Sequence, residues 1–389
     1  MRKPLLVLSG INLTDTGKLS ILTDCLDYAD THLSQEFDVL ALVPGNHSFL
    51  HRNIRFRTFP LSKKSWWFRL YYEYIFFYFL SRKLKPYLWL SLHDMTPNVQ
   101  ANVRAVYCHN AAPFYKIPSK YLFHDRTFTM FNWFYDYLYG LNIRKNQYVV
   151  VQQHWLADVF RKRYRIDTLL VARPASEASV TFPPLALRPA SGEPTRFFYP
   201  SYPRFHKNAE LACEAGRLLR QKGITGFEIA FTFDGSENRY AREMVEQYGH
   251  DPGVQFLGLL PREEVFARYA SCDYLLFPSQ LESWGLPLSE VQPFGKPVLA
   301  ADLPYAYETI GTYPYAAFFN PDSVEELANL MEAAIHRTLS LAPSPSEKIP
   351  SGRAAAGWRG LFDQLLCESS STASATPPRT PVPDATMAN

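Results

Sequence analysis

The chain is 389 residues long, 47% apolar and 20% charged, with a formal net charge of +3. That length allows two domains of ordinary size and the apolar fraction is ample for two cores, so the class is globular. The five cysteines, Cys25, Cys108, Cys213, Cys272 and Cys367, have neither metal-ligand nor redox-motif spacing and point to reduced cytoplasmic thiols.

Leu5 to Leu8 is an apolar run of first-strand length, too short for a secretory signal, so the chain is expected to stay in the cytosol. It leads into Gly10-Ile-Asn-Leu-Thr-Asp-Thr-Gly17-Lys18-Leu-Ser20, which begins like a glycine loop feeding a helix. Six residues separate Gly10 from Gly17 and Leu19 stands where a P-loop needs Ser or Thr for magnesium, so this is no P-loop. An ordinary strand-to-helix turn is the alternative reading.

Further strand-like runs follow at Val39 to Val43, Leu88 to Leu92, Ala105 to Cys108 and Val149 to Val151, with helix-length segments between them. The alternation predicts a parallel sheet with helices on both faces. Trp66 to Leu80 is rich in aromatics but interrupted by Arg69 and Glu73, and it falls short of the roughly 20 residues a spanning helix needs. It is read as a helix buried in the first domain. An interfacial helix flanked by Lys63, Lys64, Arg82, Lys83 and Lys85 is the alternative.

Two runs end in histidine, Leu90-Ser-Leu-His93-Asp94 and Val106-Tyr-Cys-His109-Asn110, at the carboxyl edge of the predicted sheet, where open α/β folds bind ligands. His93, Asp94 and Lys116 are candidate acceptor-site residues, although a hydrogen-bonded structural histidine is the ordinary reading of such a position. Residues 1–172 hold 22 Lys and Arg against 12 Asp and Glu, a balance of +10, and the remainder holds 18 against 25, a balance of −7. A basic half suits nucleic acid, anionic lipid or a phosphorylated acceptor alike. No nucleic-acid motif accompanies the basic residues, so nucleic acid is not expected as a partner.

Residues 174–194, rich in Pro, Ala and Ser, read as a linker between a first domain, 1–173, and a second, 195–345. The second alternating set runs through Phe197 to Tyr199, Ile229 to Phe233, Val254 to Leu257, Tyr274 to Phe277 and Pro297 to Ala301. Arg204-Phe-His-Lys207 follows its first strand as a basic loop. Asp234-Gly235-Ser236 and Gly258 follow later strands and read as turns. Residues 352–367 form a terminal helix, and 368–389 have the composition of a disordered tail.

The most informative stretch is Asp273-Tyr-Leu-Leu-Phe-Pro-Ser-Gln-Leu-Glu282-Ser-Trp-Gly285-Leu-Pro287-Leu-Ser-Glu290. An apolar strand ends at Pro278 and Ser279, and Pro287 sits where an early helical position tolerates proline, so a helix opens at about Leu286. Backbone N–H groups of Ser283, Trp284, Gly285 and Leu286 then point out of its N-terminus, a place suited to phosphate. A carboxylate beside an anion repels it, so Glu282 and Glu290 suit hydroxyl groups on either side of a diphosphate. Two solvated acids on a surface helix are the bland alternative.

With the flanking Phe-Pro-Ser, Gly285-Leu-Pro287 and Phe294-Gly-Lys-Pro-Val-Leu-Ala300, this stretch resembles the Glu-x7-Glu motif of retaining glycosyltransferases of family 4. The resemblance implies the GT-B fold, two Rossmann-like doubly wound α/β domains facing across a cleft, with the terminal helix packing back on the first domain. It implies that Glu282 faces the donor sugar and that Glu290 holds the ribose. Lys207 and Arg204 would neutralise the diphosphate leaving group, the family's Arg commonly lying further ahead, where Ser201 and Tyr202 stand here. His109 would contact the donor sugar, Asp234, Gly235 and Gly258 would line the base pocket, and Gly17 would approach the phosphates where the family carries paired glycines.

The expected activity is transfer of a sugar from a UDP-sugar or GDP-sugar, with retention, to a growing glycan, in the context of O-antigen or capsule assembly. No cofactor and no metal are expected, because no acid pair, histidine cluster or Asp-x-Asp triplet has metal spacing. A lipid-linked acceptor would dock on the basic half, with peripheral association at the cytoplasmic face of the inner membrane. A GT-B epimerase or hydrolase of nucleotide sugars, and a GT-B module that binds donor or glycan without turnover, are the competing readings.

Overall fold

The computed structural model describes residues 3–14, 16–45, 51–122, 126–173, 182–187, 192–350 and 354–367. The expected tail, 368–389, and most of the expected linker lie outside these residues.

Two sheets form, and every strand-to-strand pairing among the described residues is parallel. In the first, β1 (Leu5–Ser9), β2 (Asp38–Val43), β3 (Ile54–Thr58), β4 (Leu88–Ser91), β5 (Val103–Cys108), β6 (Tyr148–Val151) and β7 (Leu169–Ala172) are ordered β7-β6-β5-β4-β1-β2-β3. In the second, β8 (Thr195–Tyr199), β9 (Phe227–Phe231), β10 (Val254–Phe256), β11 (Tyr274–Phe277), β12 (Val298–Ala301) and β13 (Ala316–Phe319) are ordered β10-β9-β8-β11-β12-β13. The short β14 (Ala354–Ala355) then returns to the first sheet and pairs with β7. Strands buried on both faces must be apolar throughout, which is why the central strands read as uninterrupted runs. Leu6, Val7 and Leu8 of β1 and Leu275 and Leu276 of β11 are all buried completely.

The sequence reading passed over β3, β7, β13 and β14. β3 is an edge strand with Arg55 and Arg57 exposed, a charge pattern that protects an unpaired edge but hides the strand from an apolar-run search. The others are short or half-exposed, β7 having only Val171 and Ala172 buried.

Helices close the sheets where their apolar stripes allow. Ala209–Gln221 buries Leu211, Ala212, Ala215 and Leu219 at helical spacing. Arg239–Tyr248 and Val324–Ile335 are capped by Asn238 and Ser323, whose side chains accept from the amides of Ala241 and Glu326 at 3.0 and 3.2 Å. After β14, helix Gly357–Cys367 places Leu361, Phe362 and Leu365 in the core of the first domain.

The aromatic segment is helical but not buried as read. Ser65 caps Trp66–Tyr71, a π-helical turn spans Tyr72–Phe76, and Phe77–Leu84 completes the run, which Lys85 ends in the left-handed region at φ 48°. Its inner side carries Arg69, Glu73, Phe77 and Ser81, and its outer side carries exposed aromatics. Arg69 and Glu73 were read only as interruptions of the aromatic run, and composition does not say which side of a helix they face.

Candidate active site

Both sheets have the strand order in which the chain reverses direction across the sheet, between β1 and β4 and between β8 and β11. Loops leaving the carboxyl ends of such a pair diverge and open a crevice. In the second sheet, the chain leaving β8 passes Arg204 and turns through the 3-10 helix Phe205–Lys207, while the chain leaving β11 passes Glu282. Lys207 Nζ stands 2.5 Å from Glu282 Oε1, and both side chains are largely buried. The amide of Gln280 donates to the carbonyl of His206 at 2.7 Å, tying the two loops together. Tyr199 Oη donates to the carbonyl of Lys207 at 2.7 Å, and Tyr305 Oη to that of Ser279 at 2.6 Å. Burial, and then the negative charge of Glu282, push both phenols well above their ordinary range, so they remain donors.

Arg204 precedes this turn, and its guanidinium lies over the rings of Tyr202 and Phe128, 5.6 and 5.8 Å from their centroids. The intervening His206 is buried, and burial together with the charges of Lys207 and Arg204 holds its ring neutral. The loop therefore carries its cationic charge on Lys207 and Arg204.

The helix expected from Leu286 spans Leu286–Glu290, with Gly285 as its cap at φ 78°. A Cβ on Gly285 would lie 3.3 Å from Leu288 Cδ1 and 3.4 Å from Phe277 Cε1, so conformation and space both call for glycine there. The helix is little more than one turn, so any hold on an anion rests on the backbone N–H groups of Ser283 to Leu286 more than on a macrodipole. Trp284 is buried and its indole donates to Ser289 Oγ at 3.3 Å, whereas Leu286 is exposed. Glu290 accepts from Tyr269 Oη at 3.1 Å and has Arg262 at 3.8 Å. Burial, then Asp27, raises the carboxyl of Asp24 on the first domain, and Arg262 opposes that rise, so its charge acts across the cleft. Arg262 and Tyr269 were missed in the sequence. Their seven-residue separation on helix Arg262–Ser271, two turns on one face, was the available signal.

Asp234, Gly235 and Gly258 come together: a Cβ on Gly258 would lie 3.1 Å from Asp234 Oδ2. The amides of Asp234 and Gly235 are already held by the Glu237 carboxylate, each at 3.1 Å, and Ser236 N donates to Asp234 Oδ1 at 3.0 Å. This is closed turn chemistry, and a nucleotide at these amides has to displace Glu237. Gly17 lies inside the first turn of helix Thr16–Tyr28 and not in a loop. Gly10 is closely packed, and a Cβ there would meet Leu22 Cδ1 at 2.8 Å, so that side chain would have to shift.

On the first domain, His109 follows β5 and is bound to Asp94. Asp94 Oδ1 accepts from the amides of His109 and Asn110 at 2.7 and 3.1 Å and from Tyr139 Oη at 2.9 Å. His109 Nε2 lies 3.5 Å from Asp94 Oδ2. Asp94 is thus committed to shaping the strand ends, which corrects its reading as an acceptor contact. His93 is corrected likewise: its ring is wholly buried, with Nε2 at 3.3 Å from Ser9 Oγ and 3.2 Å from Glu73 Oε1. Lys116 is exposed, next to Tyr115.

Burial raises the carboxyl of Glu73 from 4.5 to about 8, with Arg69 opposing. Burial, then Arg69, lowers His93 from 6.5 to about 3. Between pH 4.5 and 6.5 the two slopes oppose: the folded chain keeps a proton on Glu73 while the unfolded chain gains one on histidine. Between pH 6.5 and 8 only Glu73 counts, and the folded state holds a proton that the unfolded state has lost. Stability is therefore expected to fall by about 2 kcal/mol as pH rises through that window, and Glu73→Gln to flatten the fall. Urea unfolding at the two ends of the window reads this directly, and an unchanged slope in the variant refutes it.

Several contacts across the cleft had no signal in the sequence. Tyr115 Oη donates to Gln280 Oε1 at 2.6 Å, two residues from Glu282. Tyr121 stacks on Phe205 with ring centroids 5.0 Å apart and donates to Glu210 at 2.5 Å. Gln153 Nε2 donates to Thr309 Oγ1 at 2.7 Å, and the amide of His154 donates to Glu308 at 2.8 Å. Among the described residues, no group of three or more His, Cys, Asp or Glu side chains is arranged to hold a metal ion.

Comparison with known proteins places this geometry. Residues 188–348 match the family model of the glycosyl transferases group 1. The serotype-specific mannosyltransferase WbdA of Escherichia coli is 32% identical over 132 residues, which is 33% of this chain and 16% of that protein. The O-antigen chain mannosyltransferase B of Escherichia coli is 26% identical over 123 residues, 31% of this chain and 32% of that protein. The matched stretch thus spans a third or less of either relative. The sucrose-phosphate synthase of Thermosynechococcus elongatus superposes with a TM-score of 0.66 at 15% identity, over 96% of this chain and 100% of that one. Two parallel α/β domains, each with a switch-point crevice, and the superposition over nearly the whole chain give this protein the GT-B fold, and residues 188–348 within it are similar to the glycosyl transferases group 1.

Proposed function

We propose that the protein transfers a hexosyl residue, of the mannosyl type that its relatives' names carry, from a nucleoside diphosphate sugar to a growing surface-polysaccharide glycan, with retention. The observation that carries this reading is the Lys207–Glu282 pair at the switch point of the second sheet, with Arg204 on the same loop as Lys207. Breaking the bond from anomeric carbon to phosphate leaves negative charge on the departing diphosphate. Lys207 and Arg204 stabilise that charge more in the transition state than in the ground state, and without reorganisation. In this reading no metal is needed at the leaving group.

Glu282 orients the donor sugar through its hydroxyls and Glu290, held by Tyr269 and Arg262, receives the ribose. The acceptor hydroxyl adds to the anomeric carbon on the face the diphosphate leaves, and a phosphate oxygen takes its proton. His109, steadied by Asp94, faces the sugar from the first domain. The acceptor is a glycan on a lipid carrier at the cytoplasmic side of a membrane.

A thermal-shift screen against UDP, GDP, ADP and their sugar derivatives without added metal tests the reading, with Glu290→Ala as control. Stabilisation by one base, lost in the variant, is the expected result, since a ligand at 100 times its dissociation constant adds about 2.7 kcal/mol. No shift with any nucleotide refutes the reading. Binding followed by release of free sugar without an acceptor makes the protein a hydrolase, and binding without turnover makes it a binding module.

A further inference from the structure

The helices spanning 66–84 and 126–140 are neighbours in the first domain: the rings of Trp66 and Tyr135 lie 6.4 Å apart, and Arg69 donates to Tyr135 Oη at 3.5 Å. Both turn large apolar side chains outward. On the first, Arg69 and Glu73 are 6% and 0% exposed, while Trp67 and Phe79 are 80% and 64% exposed, with Tyr71 and Ile75 exposed between them. The outward residues recur every four positions through the π turn and form one stripe. On the second helix, Asn132 and Tyr139 face inward and are hydrogen-bonded to backbone carbonyls. Met130, Trp133 and Tyr137 face out, followed by Leu141, with Trp133 67% and Tyr137 74% exposed. A helix meant for water has the reverse arrangement, and contiguous exposed apolar faces of this extent mark an interaction surface.

We propose that the outward faces of these two helices form a single docking surface for an anionic lipid bilayer. The charges around the stripes choose the occupant. Lys63 and Lys64 lie at one end of the first helix and Arg82, Lys83 and Lys85 at the other, all exposed. The acid in the same stretch, Glu73, is buried, so its outward charge is wholly positive. Beyond the second helix Arg144 and Lys145 are exposed, while its Asp136 is paired with Arg163. Trp, Tyr and Phe between cationic ends is the composition that settles at the level of lipid headgroups. A second copy of the chain fits poorly, because a two-fold contact through this face sets like charges against one another. No described helix is long and apolar enough to cross a membrane, so these helices lie along the surface. Tyr135 Oη reaches Asp94 Oδ2 at 3.4 Å, and Asp94 holds the His109 amide, so the surface sits one layer of side chains from the cleft. The inference stands on exposure and charge and is independent of the transfer reaction.

The test is co-sedimentation of the full chain with vesicles of phosphatidylethanolamine and phosphatidylglycerol, against vesicles of phosphatidylcholine alone. Binding is expected to be at least about tenfold tighter to the anionic vesicles and to weaken with added salt. Trp67→Ser with Phe79→Ser, or Trp133→Ser with Tyr137→Ser, should each weaken it about tenfold without changing the melting temperature, because these side chains support no core. Replacing Lys63, Lys64, Arg82 and Lys83 by serine should abolish the preference for anionic lipid. In the unaltered protein, lipids brominated near the glycerol should quench tryptophan fluorescence. Equal sedimentation with both vesicles, no quenching, or aromatic variants that bind as before would overturn the proposal. A concentration-dependent dimer dispersed by the aromatic variants, with no vesicle binding, would assign the face to a second copy instead.

Discussion

Lys207→Ala is expected to lower turnover by about 10²–10³-fold, the loss typical when one fixed charge-stabilising group is removed from a transition state. Its ammonium is the cation placed against Glu282 where the two switch-point loops meet. In the proposed reaction, removing it takes away charge stabilisation at the leaving diphosphate, and it leaves the Glu282 carboxylate without its partner. Both effects act on the rate. The second also acts on stability, because a largely buried carboxylate loses its counter-ion. Adding Glu282→Gln isolates the second: the double variant should recover, in urea unfolding, the stability that Lys207→Ala loses. The measurement is the initial rate of nucleoside diphosphate release with whichever donor the thermal screen selects. Near-normal turnover in Lys207→Ala would remove this residue from the leaving-group role and shift that role to Arg204.

Asp94→Ala is expected to destabilise the first domain by about 3–5 kcal/mol, the range for stripping a buried, hydrogen-bonded charge from its partners. Three donors converge on Oδ1, the amides of His109 and Asn110 and the hydroxyl of Tyr139, and alanine leaves the two amides without that acceptor while Tyr139 keeps the carbonyl of Asn110 at 2.9 Å. The backbone adds to the cost, since Asp94 sits at φ 70°, a conformation that Asp and Asn tolerate better than alanine. Asp94→Asn retains a carbonyl oxygen and the backbone preference, so it should cost clearly less than alanine. Urea unfolding curves of the two variants read both numbers. A loss below about 1 kcal/mol for alanine would mean that water replaces the carboxylate and that the cluster is not structural. Because the same oxygen holds the His109 amide, Asp94→Asn is also expected to raise the KM for donor more than it lowers kcat.

Ten strands were readable, because a strand buried on both faces has to be an apolar run and turn residues bound it. β3 was not, because an edge strand under-advertises itself with charges such as Arg55 and Arg57. Glu282, Gly285 and Glu290 were singled out together because they lie on one local segment, and the turn at Gly285 needs the glycine that the sequence shows. Arg262 and Tyr269, which hold Glu290, lie on a different element and went unread. His93 and Asp94 were placed at the right sheet edge but on the wrong side of it. A strand-end position tells where a residue is along the chain, and only neighbouring helices decide whether water reaches it. Here Tyr139 and the buried Glu73 occupy that space.

By itself, the sequence determined the alternation of strand and helix, the division into two parallel sheets and the strand, turn and helix of the stretch from Asp273 to Glu290. Those follow from periodicity and turn residues within a few positions of each other. Tertiary structure alone decided the partners: Lys207 meets Glu282 across 75 residues, Tyr139 meets Asp94 across 45, and Tyr115 meets Gln280 across 165. Such contacts depend on strand order and on how two domains close on each other, which no local pattern encodes. It also decided that the aromatic faces of the helices at 66–84 and 126–140 point outward. Helical spacing shows that a face exists, and only the packing of the rest of the chain settles what, if anything, covers it.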